Sequence, residues 1–209
     1  QALEDLTSGD QNIAIGHQAL KSVKTGGQNI AIGYEAMEDS DNGENHNIAI
    51  GTEVLKSANS DNLSANIAIG TRAMGSVDSG EGVANCVAIG YQALRNAEDE
   101  ADGSVAIGKE ALTNVTSGPG NVAVGESAGT GVTTGNANTL IGHQAGIQVS
   151  TGHYNTAIGW KAMDASHGSS SHNTAVGMDA LGSYSGAGDG KNTCVGSGAG
   201  DAITSGTNN

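Results

Sequence analysis

Apolar and polar positions along this chain recur in one short phrase, Asn12-Ile13-Ala14-Ile15-Gly16, followed by two variable residues, an Ala and then usually Leu or Met. Taking the closing glycine as anchor gives Gly16, Gly33, Gly51, Gly70, Gly90, Gly108, Gly125, Gly142, Gly159, Gly177 and Gly196, eleven copies spaced 17 to 20 residues apart. A fixed period of this length points to a solenoid in which each copy is one rung. One residue before the anchor stands Ile or Val in every copy. Three residues before it stands Ile or Val up to Val122, then Thr139, Thr156, Thr174 and Thr193. β-branched residues at period two predict a strand, and this pair of columns is expected to face the core.

Between them lies a column of Ala, broken by Leu140 and Cys194. So constant a small residue requires a close neighbour, so a second packed surface is expected there, supplied by another layer of the same chain or by another chain. After the anchor, Ala19 and Leu20 and their counterparts supply further apolar positions, with Gly129, Gly146 and Gly200 leaving the Leu column empty. Only eight to eleven residues, rich in Thr, Ser and Gly, then precede the next phrase, which is turn chemistry and argues against a helix. Each rung is therefore expected to hold two short strands and two turns. The fold class predicted is all-β, a parallel β-solenoid.

Just before each strand stands Asn12, Asn29, Asn47, Asn66, Asn121, Asn138, Asn155, Asn173 or Asn192, with Cys86 and Ser104 as departures. Amides stacked at rung spacing can hydrogen-bond along the stack, so this column reads as a structural ladder. The array fills residues 1–209 as one unit of about eleven rungs, with partial rungs at both ends, and reads as an excerpt of a longer fibre.

Composition narrows the function. With no Phe, one Trp and four Tyr, the chain cannot fill a conventional globular core, while its 34 Gly recur at set points of the repeat. The formal net charge of −14 disfavours nucleic acid and anionic lipid as partners, and no apolar run is long enough to insert in a membrane. Cys86 and Cys194 are six rungs apart, roughly 29 Å at about 4.8 Å per rung, so they cannot form a disulfide with each other. The longer turns, with Glu38, Asp39, Asp41, Asp61, Asp78, Glu81, Glu98, Asp99, Glu100 and Asp102, are expected to gather into an acidic flank. Within it Asp39, Asp41 and Glu44 come nearest to a cation loop, but glycine falls one place early for the calcium-binding pattern, and a solvated flank is expected instead. No spacing of Ser, His, Cys or acids suggests catalysis, so no enzyme activity, cofactor or metal is expected.

The stretches Asn29-Ile30-Ala31-Ile32-Gly33-Tyr34-Glu35-Ala36-Met37 and Asn155-Thr156-Ala157-Ile158-Gly159-Trp160-Lys161-Ala162-Met163 resemble the repeat arrays of phage tail fibres. They are also similar to the head repeats of trimeric autotransporter adhesins of the YadA type, although those repeat at about fourteen residues. The resemblance covers the whole chain and implies a left-handed parallel β-roll, three chains side by side, and a structural or adhesive role outside the cell. It implies a homotrimer bound to a host surface receptor such as a glycan, on a viral tail fibre. A bacterial cell-surface adhesin is the alternative, and a fibre-borne polysaccharide depolymerase the third reading. Trimerisation is expected to bury the Ala face against a partner.

Overall fold

The computed structural model describes residues 1–40, 43–58, 63–77, 82–98, 101–165 and 168–209. Fifteen short strands form in chain order: β1 (Ile13–Ile15), β2 (Ile30–Ile32), β3 (Ile48–Ile50), β4 (Ser57–Ala58), β5 (Ile67–Ile69), β6 (Ser76–Val77), β7 (Val87–Ile89) and β8 (Val105–Ile107); then β9 (Val122–Val124), β10 (Thr139–Ile141), β11 (Thr156–Ile158), β12 (Ser170–Ser171), β13 (Thr174–Val176), β14 (Gly188–Asp189) and β15 (Thr193–Val195). Eleven of them, one per repeat, stack into a single parallel sheet in the order β1-β2-β3-β5-β7-β8-β9-β10-β11-β13-β15. Pairing is in register, Ile13 with Ile30 and Ala14 with Ala31, and so on to Val176 with Val195. The chain is an all-β parallel solenoid, and no helix forms among the described residues. None is therefore long and apolar enough to cross a membrane.

The phase of the strand is opposite to the expected one. Ala31, Ala49, Ala68, Ala88, Ala106, Ala123, Leu140, Ala157 and Ala175 are fully buried, whereas Ile13 is 48 % exposed, Ile15 59 % and Val195 68 %. The Ala column lines the interior, and the Ile, Val and Thr columns point out of the chain. The reason is the thinness of the rung. Opposite the strand lie Ala19, Leu20 and Val23 and their counterparts, buried except in the end rungs, where Ala2, Leu3, Ala199 and Ile203 are half-buried, and together they occupy the space between the two layers. Only a methyl group fits on the strand side. The surface packed on the Ala column is thus the chain's own second layer, and the replacement of Ile by Thr from Thr139 onward alters the outer face, not the interior.

Leu140 shows how tightly that interior is matched. A side chain added at Gly146 would stand 2.5 Å from its Cδ2, and one added at Gly129 would stand 2.7 Å from its Cδ1. The large strand residue occupies the space two missing Leu side chains leave, so the Leu column is not empty there. Cys194 fills the gap over Gly200 in the same way, with Sγ 2.4 Å from where a Cβ would lie.

The second layer is not the continuous strand expected. Extended pairing occurs at β4 with β6 and at β12 with β14, with single parallel bridges linking Gly27, Asn45, Ser64 and Ala84. Elsewhere the segment after the anchor is a turn in which two residues take positive φ, as at Gln18 (58°) and Leu20 (51°), which breaks extended geometry. Hydrogen bonds between rungs continue nonetheless, from Leu20 N–H to Ala36 C=O at 3.0 Å and from Ser22 N–H to Glu38 C=O at 3.0 Å.

The anchor glycine follows from stacking. At Gly33 φ is 145°, and a Cβ there would lie 2.0 Å from the carbonyl oxygen of Gly51 on the next rung. No side chain fits that approach.

Candidate binding surface

The asparagine column supports the strand edge from inside. Asn47, fully buried, donates its backbone N–H and its Nδ2 to Oδ1 of Asn29, at 3.0 and 3.1 Å, and Nδ2 also donates to the Leu63 carbonyl at 2.9 Å. Asn66 then donates to Oδ1 of Asn47 in the same two ways. The unit repeats from Asn12 to Asn66 and from Asn121 through Asn138, Asn155, Asn173 and Asn192 to Asn209. Every buried side-chain amide of this column thereby has partners. At Cys86 the backbone N–H still donates to Asn66 Oδ1 at 2.9 Å, and Sγ lies 3.3 Å from the Ala101 carbonyl. Ser104 Oγ accepts the Asn121 N–H at 3.3 Å. Burial pushes the Cys86 thiol up to about 11, and both cysteines are free.

Outside the ladder lies the face sequence reasoning assigned to the core. Its two columns, Ile13 to Thr193 and Ile15 to Val195, run the length of the sheet as an outward stripe of β-branched side chains. At about 4.8 Å per strand and about 3.3 Å per residue, eleven three-residue strands make a stripe about 50 Å by 10 Å. Contiguous apolar patches of several hundred Å² mark interaction sites.

Aromatic side chains border both edges. Following the anchor glycines, His17 stacks on Tyr34 with ring centroids 5.3 Å apart, and His143 stacks on Trp160 at 6.4 Å. Lys161 Nζ lies 4.7 Å from the Trp160 ring. Before the asparagines, Tyr154 stacks on His172 at 5.1 Å, and His172 Nδ1 pairs with Asp189 at 2.9 Å. That contact, with Lys191 Nζ at 3.4 Å, holds the Asp189 carboxyl below the usual range. Tyr34, Tyr91, Tyr154 and Trp160 are all exposed.

Of the acidic turn positions, Glu38, Asp39, Glu98 and Asp102 are described. Asp39 is exposed, Glu44 is buried, and Asp41 lies outside the described residues, as do Asp61, Asp78, Glu81, Asp99 and Glu100. Among the described residues no group of three or more His, Cys, Asp and Glu side chains could hold a metal ion. Glu38 does not belong to a solvated flank: it sits between Lys21 Nζ at 3.9 Å and Lys56 Nζ at 3.6 Å. Asp102 is exposed and accepts the Ala84 N–H at 2.7 Å.

The outward stripe was missed because both apolar columns of a three-residue strand satisfy period two. The signal that identifies it is the inverse size of Leu140 and its neighbours Gly129 and Gly146. No protein-family model, curated protein or solved structure matches this chain.

Proposed function

We propose that this chain is a structural and adhesive segment of a homotrimeric fibre, a phage tail fibre that attaches the particle to a host surface receptor. The single observation that carries the reading is the stripe of outward Ile, Val and Thr, half-buried between rungs and most exposed at Ile13, Ile15 and Val195, that faces away from the chain's own interior. Three such stripes turned to a common axis would remove them from water, each Å² of apolar surface contributing about 25 cal/mol. The face that meets its partners is then the β-branched one, because the Ala face is already spent inside the chain. A stripe only about 10 Å wide with polar, aromatic-edged borders suits packing round an axis, where each chain meets two neighbours. The resemblance of the repeats to tail-fibre arrays supports three chains, a left-handed roll and a virion location. The variable turns are left free for the receptor.

Flanking sequence tests the viral assignment. A tail-attachment segment upstream and a self-cleaving chaperone downstream are expected. A C-terminal membrane barrel would place the chain on a bacterial surface instead, and release of reducing sugar from host polysaccharide would make it a depolymerase.

A further inference from the structure

We infer that a notch in the charged turn column binds the carboxylate of an acidic sugar. Five residues after successive anchors stand Lys21, Glu38, Lys56, Gly75 and Arg95. In the first three the charge alternates and the pairs close, with Glu38 Oε1 3.9 Å from Lys21 and its Oε2 3.6 Å from Lys56. By that alternation an acid is due between Lys56 and Arg95, and Gly75 stands there. The missing side chain leaves a cleft of about 270 Å³, lined by Lys56, Ser57, Arg72, Ser76 and Arg95 together with Glu53 and Gly75. Glu53 is engaged by Arg72, and Lys56 by Glu35, whereas Arg95 forms no ion pair among the described residues.

The geometry suits one oxyanion. Residues two rungs apart are about 10 Å apart along the stack. That leaves room for a single carboxylate beside Arg95, with a charge-assisted contact of about 2.8 Å to its guanidinium. The cleft is larger than a carboxylate, and its lining is polar, with the hydroxyl-bearing Ser57 and Ser76 and no apolar wall. A polyhydroxylated body fits such a lining, and an apolar peptide side chain finds nothing to pack on. The notch is built from turn columns and not from the strand face, so it goes beyond the fibre reading and stands or falls separately from it.

Calorimetric titration at low salt with D-galacturonate, D-galactose and sulfate tests it. Galacturonate is expected to bind and galactose not to. Arg95→Gln should weaken galacturonate about tenfold. Gly75→Glu, which installs the missing acid, should abolish binding. A Cβ at Gly75 comes 3.1 Å from the Arg72 carbonyl, so circular dichroism must show that this variant folds, and Arg95→Gln decides if it does not. Sulfate binding without galacturonate, equal binding of galactose, no binding of any probe, or unchanged affinity in Arg95→Gln would each overturn the proposal.

Discussion

Single residues in this fold are judged by whether their polar atoms find partners in a very thin interior. Asn47 satisfies two rungs at once, accepting from Asn66 and donating to Asn29 and Leu63. Asn47→Ala orphans buried groups on both sides, and a loss of about 3 kcal/mol is expected in urea denaturation, since each unsatisfied buried group costs about 1–3 kcal/mol. Asn12→Ala, at the half-buried end of the ladder, should cost clearly less. Tyr184 is the converse case. It is fully buried, its hydroxyl has no hydrogen-bond partner among the described residues, and its ring is accommodated by Gly186 and Gly190. Tyr184→Phe should therefore raise stability by about 1 kcal/mol, measured as a higher Tm and denaturation midpoint.

At the scale of the element, the rung is a volume-matched unit in which strand Ala faces turn Leu, and strand Leu faces turn Gly. Leu140→Ala should destabilise by about 2–5 kcal/mol through the cavity it leaves. Adding Gly129→Leu and Gly146→Leu to it should recover most of that loss, because Leu112 and other Leu or Met residues of the same column already tolerate a φ near 50°. Gly146→Leu alone should destabilise, since its Cβ meets Leu140 at 2.5 Å. Thermal denaturation of the single, double and triple variants checks both signs. This complementarity is also the measure of what could be read without a structure. Strand positions, rung period and anchor glycines were legible because β-branching and a 17–20-residue repeat admit one architecture. The inner face was not, because Ile-Ala-Ile offers apolar side chains on both sides and the tie is broken by size matches such as the Leu140, Gly129 and Gly146 triplet and the Cys194 and Gly200 pair. The broken second strand was hidden as well. Residues such as Gln18, Leu20 and Met37 adopt positive φ, a conformation their side chains do not favour, and glycine marks it only in a few rungs, as at Gly129, Gly146, Gly198 and Gly200.

For the whole molecule, the consequence of that inner Ala face is an outer face too apolar to leave bare. The charged turns, with Lys21, Glu38, Lys56 and Glu35 in one cluster, lie on the opposite layer from the strand. The Lys56 hydrogen bond holds the Glu35 carboxyl below its usual range, so Glu35 stays ionised at neutral pH. On the proposed trimer, the apolar strand face is the one that meets the neighbouring chains, and the polar turns stay in solvent. Sedimentation equilibrium of the 209-residue chain, run beside the Ile48→Lys/Ile69→Lys variant, is the most direct test. The wild type should have about three times the chain mass of 20.6 kDa, and the variant should be a folded monomer with an unchanged β spectrum. A wild type that stays folded and monomeric at high concentration would contradict the account.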